Sequence, residues 1–151
     1  MLMNKVTRVC SPVEGELIRM EEVPDPVFSQ KMMGEGFAVN PSNGRICSPI
    51  KGEVTVAFET GHAYGLKSPS GVEILVHFGL DTVKLKGEGI RMHVKVGDKV
   101  KVGDLLCEVD IEAIKDKVPS LITPVVVTSE HQITIEKQGH VKVKDKVMTV
   151  R

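Results

Sequence analysis

The sequence predicts an all-β protein, an antiparallel β-sandwich with internal duplication and one or two very short helices. Three observations lead there. Apolar-rich stretches of about four to eight residues recur along the chain, closed off by turns such as "SPVEG", "NPSNG", "SPIKG" and "KGEG". Helical periodicity is nearly absent, so packed sheets are the way to bury these stretches. "CSPVEGEL" at Cys10–Leu17 is echoed by "CSPIKGEV" at Cys47–Val54, 37 residues on, and "VKVGDKVKVGDLL" at Val94–Leu106 is partly echoed by "VKVKDKVMTV" at Val141–Val150. The copies are too few for a solenoid, so they imply a duplicated motif within a single domain over residues 1–151.

In chain order, strands are expected in "EGELIRM" (14–20), "EGFAVNP" (35–41), "GEVTVAFET" (52–60) and "VEILVHFGL" (72–80). They continue in "LLCEVDI" (105–111), "TPVVVTS" (123–129), "HQITIEK" (131–137) and "KVMTV" (146–150). The first short helix is expected in "DPVFSQKMMG", with Asp25 as N-cap, Pro26 at the first helical position and Gly34 as the stop. The second is "DIEAIKDKV", capped by Asp110 and ended by Pro119.

Composition excludes several function classes. A chain of 151 residues buries about 68–70% of its unfolded surface, enough for a core without staples. Lys plus Arg and Asp plus Glu both number 20, and the two signs interleave, so no basic stripe for nucleic acid exists. Aromatics are 3% with no tryptophan, which argues against a base-stacking platform. The three cysteines, Cys10, Cys47 and Cys107, are odd in number and form no C-x-x-C, which fits a reducing cytoplasm and structural roles. No signal-peptide h-region and no spanning apolar run occur, so a cytoplasmic protein without membrane insertion is expected.

The chemistry concentrates in "GHAYGLKSPSGVEILVHFGLDTVKLKGEG", Gly61–Gly89, which holds His62 and His77. Taken as a hairpin with "SPSG" as a turn centred between Pro69 and Ser70, its arms set His62 directly opposite His77, Tyr64 opposite Leu75 and Thr60 opposite Gly79. Opposed Cβ atoms lie roughly 4.5–5.5 Å apart. A three-residue loop would instead slip the register by one, leaving the rings diagonal or on opposite faces. Alternation turns Val72, Ile74, Val76 and Phe78 inward and Glu73, Leu75 and His77 outward. The two histidines would then centre a small surface patch with Phe58, Leu75 and Tyr64 around them, a docking surface for a partner.

Ordinary surface histidines apart, such a pair supports three chemistries. With Asp81 it could supply two nitrogens and an oxygen to zinc, as in a small zinc-dependent hydrolase, but no metal motif accompanies it. General acid–base hydrolysis would want a nucleophile, and no G-x-S-x-G occurs. Phosphoryl transfer through histidine uses the pair better. One neutral imidazole is the nucleophile, the other donates to the phosphoryl oxygens, and Thr60 fixes the tautomer of His62.

At these residues the chain resembles a known family. "ETGHAYGL", "GVEILVHFGLDTVKLKGEGI", "VKVGDLLCEVD" and "LITPVVV" are similar to the glucose-type IIA proteins and domains of the bacterial phosphotransferase system, at least from Phe28 to Val127. The resemblance implies a duplicated hybrid motif and a carrier that takes a phosphoryl group from phospho-HPr and passes it to a cysteine of a IIB domain. It places the phosphoryl acceptor at His77, its assistant at His62 and the threonine that orients the assistant at Thr60. Asp81 would stand at the site's edge, and Phe28, Phe58, Leu75 and Val83 would form a hydrophobic docking ring. No cofactor is required, though His62 and His77 could bind zinc. The chain reaches its first strand almost at once, so membrane association through an N-terminal tail is not expected, and the IIB and IIC domains must act in trans. His93, His131 and His140 match nothing in that site and read as surface residues. The competing carrier reading is a lipoyl or biotinyl domain, suggested by "VKVGDKVKVGDLLCEVD" but lacking the M-K-M or D-K-A hairpin tip.

Overall fold

Val72, Ile74, Val76 and Phe78 are each 2% exposed or less, as alternation requires. Burying four such side chains favours this face by about 6–12 kcal/mol, so the strand cannot turn its other face inward. The computed structural model describes residues 6–151. The expectation about an N-terminal tail or leader concerns the first five positions and lies outside the described residues.

Fourteen strands follow in chain order: β1 (Thr7–Cys10), β2 (Gly15–Arg19), β3 (Glu35–Pro41), β4 (Arg45–Cys47), β5 (Gly52–Ala57), β6 (Ala63–Lys67), β7 (Glu73–His77), β8 (Ile90–Met92), β9 (Lys99–Val100), β10 (Leu105–Val109), β11 (Thr123–Val127), β12 (Ile133–Ile135), β13 (His140–Val141) and β14 (Lys146–Val150). Two one-turn helices, α1 (Pro26–Ser29) and α2 (Ile111–Ile114), and two 3-10 turns, Met20–Glu22 and Thr82–Leu85, complete these elements among the described residues. Every strand pairing is antiparallel. The large sheet runs β13-β2-β3-β11-β7-β6-β5-β9, and two three-stranded sheets, β1-β14-β12 and β4-β10-β8, accompany it.

The echoes in the sequence are a structural duplication. The Cys10 amide donates to the Pro49 carbonyl at 2.9 Å, and the Cys47 amide to the Pro12 carbonyl at 2.7 Å, so the two "CSP" turns exchange bonds reciprocally. Each following serine repeats the scheme. Ser11 N–H donates to Asp145 O at 2.9 Å and Ser48 N–H to Asp104 O at 2.7 Å, while their hydroxyls donate to Val13 O and Ile50 O. The aspartates belong to the echoed "KVGD" and "KVKD" turns, whose carboxylates accept from Lys101 N and Lys142 N. These turns thus close a duplicated framework.

One large buried cluster joins the inward faces of the sheets. A smaller one, Met20, Val23, Phe28, Ala38, Leu80 and Val126, covers the opposite face of β3 and β11 beneath α1. This explains why "TPVVV" lacks alternation: all five residues of β11 are buried because both of its faces are covered. His77 ends β7 on that second face, beside the small cluster.

The hairpin register departs from the symmetric expectation by one residue. Ala63, not His62, pairs with His77, Tyr64 pairs with Val76, and Gly65 with Leu75. Ser68 N–H donates to Val72 O, leaving the three-residue loop Pro69–Ser70–Gly71, with Gly71 at φ +93°. A glycine in the left-handed region suits a three-residue hairpin loop. Tyr64 is consequently an inward residue, 1% exposed, and takes no part in a surface patch.

Candidate functional site

Phe58, Thr60 and His62 do not continue a strand stripe, since β5 ends at Ala57 and β6 begins at Ala63. Their segment is a tight connection, closed by Gly61 N–H to Phe58 O at 2.8 Å and by Phe58 N–H to Ala63 O at 3.1 Å. Gly61 takes φ +74°, a conformation a side chain would strain. Thr60 is therefore in the turn and does not face Gly79. His62 stands one residue before β6, where strand alternation no longer sets its direction, and its carbonyl accepts from Phe78 N–H at 2.7 Å. The two histidines meet diagonally across the end of the ladder. Their ring centroids are 5.1 Å apart, at 80°.

Each imidazole has one nitrogen committed. His77 Nδ1 lies 2.8 Å from the Gly79 carbonyl oxygen. A carbonyl only accepts, so Nδ1 carries the proton and the lone pair of the neutral ring sits on Nε2. His62 Nδ1 lies 2.6 Å from Thr60 Oγ1. Burial, with the neighbouring His77 adding to it, lowers the His62 pKa to about 4, so this ring is neutral at pH 7. Burial also lowers the pKa of His77, while the Gly79 carbonyl and the negative charges of Asp25 and Asp81 oppose that shift without reversing it.

Aromatic rings flank the pair. Phe28 tilts against His77 with centroids 5.3 Å apart, and Phe58 meets His62 edge-on at 5.1 Å. Helix α1 delivers Phe28. Asp25 Oδ1 accepts from Val27 N–H at 3.0 Å, Pro26 opens the helix, and the chain leaves it through Lys31 at φ +58° before Gly34 is reached. Phe28 is only 5% exposed, so it is a wall of the site more than a rim. Phe58 and Val83 are exposed and Leu75 is half-buried. His62 is 2% exposed, more enclosed than a surface patch implies, while His77 is half-exposed. Asp81, at φ +55°, is exposed and lies 3.7 Å from Lys84 Nζ.

Asp25 is a site residue that the sequence disclosed only as a helix cap. Its negative charge, at the N-cap of α1, favours the protonated form of His77, as does that of Asp81. The capping pattern Asp-Pro was visible; the sheet that brings α1 to β7 was not. Among the described residues no group of three or more His, Cys, Asp and Glu is placed to hold a metal ion, so Asp81 does not complete a zinc site with the histidines. The cleft lined by residues 17–22 and that lined by Lys51, Gly52, Glu53 and Thr55 lie elsewhere and include neither His62 nor His77. The remaining histidines stand apart: His93 and His140 bond to Glu108 and Glu14, and His131 to Ser129. All three cysteines are buried and free. No described helix is long and apolar enough to cross a membrane.

Fold and site define a duplicated antiparallel β-sandwich carrying a neutral two-histidine centre on one sheet face. The family described as "phosphoenolpyruvate-dependent sugar phosphotransferase system, EIIA 1" matches residues 7–133, and the chain belongs to it. It is 50% identical over 137 residues to the glucose-specific EIIA component of Halalkalibacterium halodurans, covering 90% of this chain and 79% of that protein. It is 52% identical over 129 residues to the corresponding component of Oceanobacillus iheyensis, covering 85% and 78%. The solved glucose permease IIA of Mycoplasma capricolum superposes with a TM-score of 0.93 at 41% identity, over 99% of both chains. Membership makes the chain a phosphocarrier component of a sugar phosphotransferase system, and neither a lipoyl or biotinyl carrier nor a zinc hydrolase is favoured.

Proposed function

We propose that His77 Nε2 is the atom that carries the phosphoryl group. The observation that supports this most directly is the commitment of His77 Nδ1 to the Gly79 carbonyl, which leaves Nε2 as the free lone pair. That lone pair attacks the phosphorus of phospho-HPr as the bond from phosphorus to the HPr imidazole breaks, and the departing imidazole keeps the electron pair. In the second step a cysteine thiolate of a IIB domain attacks the same phosphorus and the His77 Nε2–P bond breaks. Each step has a loose transition state with charge spread over three oxygens. Thr60 donates its hydroxyl proton to His62 Nδ1, so His62 presents Nε2–H to those oxygens. No cofactor enters the relay. Zinc bound by His62 and His77 would need further ligands from outside the described residues.

Phe58, Leu75 and Val83 form the apolar contact for both partners, with Phe28 as the inner wall. Asp25 and Asp81 place negative charge beside the acceptor, which suits a cationic donor face and favours departure of the phosphoryl group. The setting is the cytoplasm, where HPr and a IIB domain meet the carrier. By likeness to its relatives the sugar is glucose, chosen by the membrane permease. The test is incubation with phosphoenolpyruvate, Enzyme I and HPr. His77→Ala loses labelling, and His62→Gln accepts the label but fails to pass it to IIB. Retained acid-labile phosphate in His77→Ala would sink the proposal.

A further inference from the structure

The Gly79 carbonyl decides which nitrogen of His77 is protonated, so whatever holds that carbonyl controls the acceptor. Gly79 sits at φ +66°, buried, with one peptide plane on each side of its Cα. The plane after it contains the Gly79 carbonyl and the Leu80 amide, and Leu80 N–H donates to Ser120 O at 3.0 Å. The plane before it contains the Phe78 carbonyl and the Gly79 amide, and the Thr82 hydroxyl donates to Phe78 O. Both planes are thereby clamped, one by the backbone of a distant strand approach and one by a side chain. Thr82 is 0% exposed, so no water stands in for its hydroxyl. Its methyl is also fitted to the turn, since a Cβ built on Gly79 would lie 2.5 Å from Thr82 Cγ2.

We propose that Thr82 is a positioning residue for phosphoryl transfer: by holding the Phe78–Gly79 peptide it keeps the Gly79 carbonyl on His77 Nδ1 and so keeps the Nε2 lone pair free. Thr82 touches neither the phosphoryl group nor a partner's reacting atom. It acts through one peptide and one hydrogen bond. Without its hydroxyl the Phe78 carbonyl is left buried without that donor, the Phe78–Gly79 plane shifts about the glycine, and the Gly79 carbonyl, held then only through Leu80 N–H to Ser120 O, loses its alignment on Nδ1. The ring then shares its proton with Nε2, and in that tautomer Nε2 has no lone pair to attack with. The consequence for transfer rests on the phosphocarrier reading above; the consequence for the tautomer does not.

The experiment separates the two. Nitrogen-15 NMR of the imidazoles reports the His77 tautomer directly, without any phosphoryl donor. In the unsubstituted protein Nδ1–H predominates. In Thr82→Val, which keeps the shape and loses the hydroxyl, the ratio of Nδ1–H to Nε2–H falls about fivefold, the scale of one ordinary hydrogen bond. The kcat for acceptance from phospho-HPr follows the fraction of Nδ1–H and so falls by less than the ratio does, at unchanged KM for HPr. Thr82→Ser, which restores the hydroxyl, returns the ratio to within about twofold of the original. A folded Thr82→Val with an unchanged tautomer ratio overturns the proposal, as does Thr82→Ser failing to restore the ratio. Should Thr82→Val not fold, the unsubstituted protein still decides: predominant Nε2–H at His77 overturns the proposal. Correct tautomers in a chain that takes no label from phospho-HPr leave Thr82 in place and remove the phosphocarrier reading instead.

Discussion

Replacing His62 by glutamine should flatten the acid limb of the stability curve. His62 is 2% exposed and its pKa falls from 6.5 to about 4 on folding, through burial first and the His77 charge second. The folded protein therefore binds this proton less readily than the unfolded chain. Above pH 6.5 both states leave the ring neutral and its contribution is fully present. As pH falls from 6.5 towards about 4 the unfolded chain takes up a proton that the folded state refuses, and stability is lost. Below that range both states are charged and the loss stops growing. A shift of this size is worth on the order of 3 kcal/mol at 1.36 kcal/mol per pH unit. Against a total of about 5–15 kcal/mol that is a large share. Glutamine has no titration here, and the burial of His77 is common to both proteins, so their difference isolates His62. Urea unfolding of both at pH 7 and about pH 4 should show the parent losing on the order of 3 kcal/mol more, a midpoint shift of about 1–2 M. Equal losses within about 0.5 kcal/mol would refute the claim that His62 is held neutral by burial.

Three further outcomes follow from the same geometry. Thr60→Val removes the hydroxyl 2.6 Å from His62 Nδ1; stability should fall by about 1 kcal/mol, and phosphoryl passage to IIB should slow by about tenfold in a rapid-quench assay. Val83 is 51% exposed, so Val83→Asp should leave the thermal midpoint nearly unchanged while raising the KM for phospho-HPr by about tenfold or more, and an unchanged KM would remove it from the docking surface. Gly79→Ala puts a methyl 2.5 Å from Thr82 Cγ2 and 3.0 Å from Ser120 O at φ +66°, and should destabilise by about 1–3 kcal/mol in chemical denaturation.

Local patterns carried the sequence reading far, and tertiary closure marks where it ended. "EGFAVNP" and "KVMTV" coincide with β3 and β14, because turn residues bound them tightly. The caps at Asp25 and Asp110 were legible because capping is a local bond, and both carboxylates accept the expected amides. The face of His77 was legible because Val72, Ile74, Val76 and Phe78 allow only one orientation. Register was not, because "SPSG" fits both a symmetric turn and a three-residue loop, and the choice rests on Gly71 taking φ +93° and on Ser68 N–H bonding to Val72 O. The two rings come together all the same, not directly opposed as expected but diagonally, because the turn at Gly61 brings His62 back to His77. The two-residue strands β9 and β13 are too short for periodicity to register. Helix α1, with Asp25 at its cap, comes to His77 through Phe28 only once β3, β7 and β11 have paired, an arrangement set by contacts remote in sequence.

The central claim is the identity of one atom. The protein should be phosphorylated through phosphoenolpyruvate, Enzyme I and HPr, and the product mapped by peptide mass spectrometry and by phosphorus-31 NMR with nitrogen-15 imidazoles. The geometry predicts phosphorus bonded to Nε2 of His77, with Nδ1 still donating to the Gly79 carbonyl. Phosphorus on His77 Nδ1, on His62 or on any other residue contradicts it.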